Sequence, residues 1–154
     1  MGIDFDFGHA YAKAQLGAGQ NLPVSGSVFI SVQESDKPAA LEVASQLYDI
    51  GFKIIATKGT SLFLINNGIP NTMVNKVSLG RPHVVDAIKN GEIQLIINTG
   101  SGDESRRDGY MIRRAAIKFN IPYTTTIAGA MAISRGIKAL KERKLSVKTL
   151  QEYY

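Results

Sequence analysis

The chain has no cysteine and only two histidines among its 154 residues. The first absence excludes a disulfide framework, a thiolate metal site and a thiol nucleophile. The second leaves little for metal binding or general-base work. No HxxxH or Cys/His ligand spacing occurs, and no Ser, His and Asp stand in a triad order. Neither GxGxxG nor GxxxxGK[ST] is present, so a dinucleotide fingerprint and a P-loop are both unsupported. No apolar run approaches the roughly 20 residues a membrane span needs. The N-terminus lacks the basic-then-apolar order of a secretory signal. Together these absences lead us to expect a cytoplasmic protein with no membrane partner and neither a metal site nor a catalytic residue.

What is present is the composition of a globular domain, 44% hydrophobic and 20% charged. The length suits one domain with a full core. Net charge is +5, from 18 Lys and Arg against 13 Asp and Glu, which favours acidic partners. Phe and Tyr are not interleaved with the basic residues as a single-strand stacking platform requires. Nucleic acid is therefore not an expected partner, and the basic tail from Lys138 to Lys144 reads as a solvated face.

Residues 1–26 stand apart. Asp4 to Leu16 could form a short helix, and Gly17 to Pro23 reads as a linker. From Ser27 the chain alternates between apolar runs of strand length and amphipathic stretches. Strands are expected at Val28–Val32, Lys53–Ala56, Asn71–Val77, Gln94–Asn98 and Pro122–Thr126. Helices are expected from Asp36, as cap, to about Tyr48, then at Ser61–Asn67, Pro82–Asn90, Asp108–Phe119 and Ala128–Lys144. Five strands alternating with five helices predict a parallel sheet covered on both faces, a three-layer α/β/α fold. In such sheets ligands bind beyond the carboxyl ends of the strands. Those ends carry Ser31, Thr57, Asn75, Lys76, Asn98 and Thr125, all polar.

The turn Thr57-Lys58-Gly59-Thr60 is the most informative segment. A strand passes directly into a helix there, with two hydroxyls, an ammonium and a glycine at the turn. Helix N-termini have unpaired N–H groups and partial positive charge, which suit a phosphate or carboxylate. Taken alone, the turn is equally an ordinary connection. Lys37 at the start of the first sheet-covering helix, Lys76 at the end of the third strand, and the loop Asn98-Thr99-Gly100-Ser101-Gly102 would meet it at one edge. A phosphorylated small molecule is then the default ligand. Acid–base machinery is harder to find. His9 lies in the N-terminal segment, and His83 fits a helix cap better than a base. Asp103, Glu104 and Asp108 alternate with Arg106 and Arg107 as solvated loop charges do.

The ordered set Thr57-Lys58-Gly59-Thr60, Val74-Asn75-Lys76-Val77, Gly80-Arg81-Pro82-His83, Ile88-Lys89-Asn90-Gly91, Ile96-Ile97-Asn98-Thr99 and Ile112-Arg113-Arg114 resembles the C-terminal allosteric domain of carbamoyl-phosphate synthase large subunits. That is a methylglyoxal-synthase-like domain. Phe7 to Leu16 resembles the end of the domain preceding it. By this resemblance residues 1–26 are a tail and linker, residues 27–154 the allosteric domain, and the chain an excised fragment. The resemblance implies a five-stranded parallel sheet of order 3-2-1-4-5 and a nucleoside-monophosphate site, for UMP as inhibitor and in some cases IMP as activator. Carried over by position, Lys37, Thr57, Lys58, Gly59, Thr60 and Lys76 would hold the phosphate. Ser31, Val77, Asn98 and Thr99 would face ribose and base, and Thr125 would help hold ornithine. Gly100 stands where a member of that family carries a second threonine, so a hydroxyl is lost there.

The same resemblance implies a parent ligase that uses ATP and Mg, none of it bound by this segment. Its partners would be the rest of the large subunit and, through it, a glutaminase small subunit, in pyrimidine and arginine biosynthesis. The alternative is a phosphate-eliminating lyase of the methylglyoxal synthase type. That chemistry needs an aspartate base in the segment matching Gly80-Arg81-Pro82 and a histidine after the fourth strand. This chain has Arg81 and no histidine between Asn98 and Tyr123, so the segment reads as a sensor.

Overall fold

The computed structural model describes residues 2–19, 21–100 and 103–142. Strands β1 (Ser27–Ser31), β2 (Lys53–Ala56), β3 (Thr72–Met73), β4 (Leu95–Asn98) and β5 (Tyr123–Thr124) form one sheet in the order β3-β2-β1-β4-β5. All four pairings are parallel. Parallel neighbours require long crossovers. Helices α2 (Lys37–Asp49), α3 (Lys58–Asn66), α4 (Val84–Lys89) and α5 (Asp103–Lys118) supply them, with α6 (Ile127–Glu142) following β5. The expected fold and strand order are both found.

Alternation along the strands sorts the core into two layers. Val28, Ile30, Ile54, Ala56, Leu95 and Ile97 share one cluster with residues of α2, α3 and α6, among them Val43, Leu64 and Ile137. Phe29 and Ile96 point the other way and join Val85 and Ile88 of α4 and Ile112 and Ala116 of α5. β1 and β4 are buried on both faces, as their unbroken apolar runs require. Gly51, at φ 105°, ends α2 in a conformation that costs other residues about 1–2 kcal/mol.

Several boundaries differ from expectation, each for a local reason. α3 begins at Lys58, three residues early, because Thr57 is already its N-cap and the Ser61 N–H donates to the Thr57 carbonyl at 2.7 Å. β3 shrinks to two residues, and Val77 lies in a single 3-10 turn, Val77–Leu79. α4 begins at Val84, not Pro82, because His83 caps it. α5 starts at Asp103, five residues early, so Asp103, Glu104, Arg106 and Arg107 are helical residues and not part of a loop. β5 ends at Thr124, leaving Thr125 one residue past the strand. Gln20, the loop residues Ser101 and Gly102, and the expected helix end and basic tail at residues 143 and 144 fall outside the described residues.

The N-terminal segment is not the detached element its sequence suggested. α1 (Phe7–Gly17) is capped by Asp6, whose carboxylate accepts from the His9 N–H at 2.9 Å. It packs on α6: the Arg135 guanidinium lies 4.4 Å from the centre of the Phe7 ring. A Cβ on Gly8 would meet the Arg135 carbonyl oxygen at 2.7 Å. His9 is buried, 2% exposed, with Nδ1 bonded to the Asp6 carboxylate. Among the described residues no helix is long and apolar enough to cross a membrane.

Candidate functional site

The strand order reverses direction between β1 and β4, and crevices at such switch points take ligands in open parallel sheets. Four hydroxyl-bearing side chains knit the carboxyl ends of β1, β2 and β4 together here. Ser31 Oγ and Thr57 Oγ1 share a hydrogen bond of 2.8 Å. The Val32 N–H donates to Thr60 Oγ1 at 3.2 Å, and the Gln33 N–H donates to Thr99 Oγ1 at 3.1 Å. Thr57, Thr60 and Thr99 are buried, so these hydroxyls satisfy backbone and side-chain groups that water reaches poorly.

Because the Thr57 hydroxyl is turned to Ser31, it does not cap α3. The helix starts with no side-chain acceptor on its first N–H groups, in contrast to α1 and α4, which Asp6 and His83 cap. Lys37 stands beside this start: its Nζ lies 3.6 Å from where a Cβ on Gly59 would sit. The Lys37 side chain is only 15% exposed, and its ammonium donates to Glu34 Oε2 at 2.6 Å. A glycine here keeps the approach to the helix start open beside the lysine. Lys58, the first helical residue, is exposed. Uncapped amides, a fixed ammonium and hydroxyls with a proton to spare form a cradle for a tetrahedral oxyanion.

On the other side, Asn98 pairs in register with Ser31 across the β1–β4 boundary, and the Thr99 N–H donates to the Ser31 carbonyl. α5 approaches closely at Gly109, where a Cβ would lie 3.2 Å from both Asn98 Nδ2 and Arg113 Nη1. The 3-10 turn at Val77–Leu79 is tied to α5 by Ser78 Oγ, which donates to Asp108 Oδ2 at 3.2 Å.

Of the residues expected in the site, Ser31, Lys37, Thr57, Gly59, Thr60, Asn98 and Thr99 are thus brought together by contact or register. Lys58 belongs by position. Lys76 and Val77 follow the edge strand β3. Lys76 stands just before the 3-10 turn, exposed, with no ion-pair partner among the described residues, and Val77 packs into the α4–α5 core layer. Thr125 follows the opposite edge strand, three strand positions from β2 and so roughly 14 Å away across the sheet. It is not part of the cradle. Hollows of about 500 Å³, beside Ser134 and Lys138, and about 640 Å³, beside Lys53 and Thr72, lie elsewhere. The claim of the cradle rests on its chemistry.

Sequence reasoning overlooked Asp86. Its carboxylate accepts from Arg81 Nη2 at 2.6 Å and from the His83 N–H at 2.9 Å. His83 Nδ1 accepts from the Val85 N–H in return, which completes a capping box. The Arg81 hydrogen bond, and then that of the His83 amide, hold the Asp86 carboxyl down at about 2. The spacing of three between cap and carboxylate was the available signal. Glu34, three residues before Lys37, was overlooked in the same way.

Residues 39–125 match the family model for the MGS-like domain. The whole chain is 54% identical to part of the carbamoyl phosphate synthase large chain of Archaeoglobus fulgidus, and spans 14% of that protein. It is 52% identical, over 99% of its length, to that of Nostoc sp., again spanning 14% of the protein. It is also 52% identical to a carbamoyl phosphate synthase large chain, C-terminal section, of Aquifex aeolicus, of which it spans 30%. Among solved structures, methylglyoxal synthase from Elizabethkingia anophelis matches 73% of the chain with a TM-score of 0.58 and 17% identity, covering 79% of that protein. At that identity the likeness concerns the fold.

Proposed function

The chain belongs to the MGS-like domain family, and from that premise we propose that it is the regulatory part of a carbamoyl phosphate synthase large chain. Its ligand is a nucleoside monophosphate, UMP as inhibitor and IMP as the candidate activator. One observation carries this reading: α3 starts uncapped at the carboxyl end of β2, one strand from the sheet's switch point, beside a largely buried lysine and a glycine. The phosphate sits on the amides of Lys58, Gly59 and Thr60, with Lys37 as counter-charge and the Thr57 and Thr60 hydroxyls as further donors. Asn98, Thr99 and Ser31 face the ribose and base, and Lys76 adds charge from the segment after β3. Signalling to the rest of the large chain requires that the effector bind two of its states unequally.

The parent protein in this proposal is an ATP-dependent ligase working with a glutaminase small subunit in the cytoplasm. Thr125, at the far edge of the sheet, then serves a junction with the remainder of that chain and its ornithine ligand. The lyase alternative is weakened by the carboxylate that stands beside Arg81, that of Asp86. Held at about 2 by Arg81 and the His83 amide, Asp86 is a poor base at neutral pH.

Calorimetric titration with UMP, IMP and inorganic phosphate tests the reading. UMP should bind the wild-type chain, and Lys37→Met should weaken it by about 1.5–3 kcal/mol, the worth of a charge-assisted bond. Absence of heat with any of the three ligands, or unchanged affinity in Lys37→Met, overturns it. Formation of methylglyoxal from dihydroxyacetone phosphate by purified protein favours the lyase instead.

A further inference from the structure

Glu34 has no role in the cradle as described, yet its carboxylate holds the cradle's most buried cation at 2.6 Å. The two partners are unequal. Lys37 is 15% exposed and fixed beside Gly59, whereas the Glu34 side chain is 87% exposed. Glu34 belongs to a single 3-10 turn, Glu34–Asp36, between β1 and α2. That turn is held without it: Gln33 Nε2 donates to Asp36 Oδ2 at 2.9 Å, and the Gln33 N–H is anchored on Thr99. The Glu34 carboxylate can therefore leave by side-chain rotation into water, with the backbone in place and little desolvation to reverse.

We propose that Glu34 is an internal competitor for Lys37, a carboxylate that a phosphate must displace and that thereby sets the affinity of the cradle. This rests on the nucleotide-phosphate reading of the site. An ammonium can face a second acceptor, but the carboxylate and a phosphate carrying close to two negative charges repel when both crowd one Nζ. Binding thus exchanges one ion pair for another. Removing the competitor's charge strengthens binding by what the exposed pair was worth, a factor of roughly two to five.

A double-mutant cycle read by calorimetric titration with UMP and with inorganic phosphate tests this. Its four proteins are wild type, Glu34→Gln, Lys37→Met and the double variant; Glu42→Gln, an exposed carboxylate elsewhere on α2, controls for net charge. Glu34→Gln should tighten both ligands roughly two- to fivefold, and this gain should shrink in the Lys37→Met background and be absent in Glu42→Gln. Binding that Glu34→Gln leaves unchanged or weakens overturns the competitor while leaving the site intact. An equal gain with and without Lys37 also overturns it, since the effect is then general charge. If none of the proteins binds either ligand, although all unfold cooperatively, the site and the competitor fall together.

Discussion

Replacing Thr60 by valine separates what the cradle does for the fold from what it does for a ligand. Thr60 is 2% exposed, and its Oγ1 accepts from the Val32 N–H, the first amide beyond β1. Valine keeps the shape and removes the acceptor, so a buried N–H loses its partner. An orphaned buried donor costs about 1–3 kcal/mol. For a chain of this size each kcal/mol lowers Tm by about 2–4 °C. Urea unfolding should show a lower midpoint at unchanged slope, since the surface exposed on unfolding is the same. Serine keeps the acceptor and should recover most of the loss. The hydroxyl's own hydrogen is not used by Val32, so it is the one that can reach a phosphate. Thr60→Val should therefore also weaken UMP, and Thr60→Ser should restore it. Stability within about 0.5 kcal/mol of wild type, the scatter of an uneventful surface change, would show that the bond to Val32 is not what holds the end of β1.

Three further outcomes follow from separate parts of the molecule. Asp86 is lowered from 3.8 to about 2 by Arg81 and the His83 amide; its stabilising effect is therefore full above about pH 4 and lost as pH falls through 2. Urea midpoints between pH 5 and 2 should drop less steeply in Asp86→Asn than in wild type, and parallel curves would dismiss the pair as a stabiliser. Gly8→Ala puts a Cβ 2.7 Å from a backbone oxygen of α6, which cannot turn aside. It should cost about 1–3 kcal/mol as overpacking does, with faster amide exchange in α1; unchanged exchange would mean that α1 is not docked as described. Lys76→Met should weaken UMP by about 1.5–3 kcal/mol if the lysine reaches the phosphate, and unaltered affinity removes it from the site.

The sheet was legible because its signal is redundant. β1 and β4 are unbroken apolar runs that only a doubly covered parallel sheet can bury, and the α2 stop at Gly51 and the α4 stop at Asn90 and Gly91 punctuate the chain on schedule. Edge strands carry a weaker signal. β3 buries neither Thr72 nor Met73, so nothing in the sequence marks where pairing stops, and the expected strand ran on to Val77. The docking of α1 was hidden for another reason. Its packing relies on small residues, Gly8 against Gly136 and Ala139, which read as poor core formers in isolation. In the cradle, residue types were visible and partners were not. Thr57 looked like a phosphate ligand, and only tertiary contact shows its hydroxyl sharing a hydrogen bond with Ser31.

That use of the threonines bears on how a bound anion could act as a signal. Hydroxyls that join the ends of β1, β2 and β4 make the floor of the cradle rigid, and a rigid site binds without reporting. A ligand with equal affinity for two states shifts neither, however tightly it is held. Any report must come from the rim, where the 3-10 turn at Glu34–Asp36 joins β1 to α2 and, when Lys37 turns to a phosphate, gives up an ion pair and is left to the Gln33 contacts with Asp36 and Thr99. α2 packs on α6, and α6 on α1, so a change at that turn has a packed route across the molecule. Hydrogen exchange with and without saturating UMP decides whether it is used. The amides of residues 34–37 and of α2's first turn should change protection, while those of β1 and β4 stay as they were. Protection that rises uniformly across the chain, by the mass-action stabilisation any ligand gives, would make this a binding site with no lever attached.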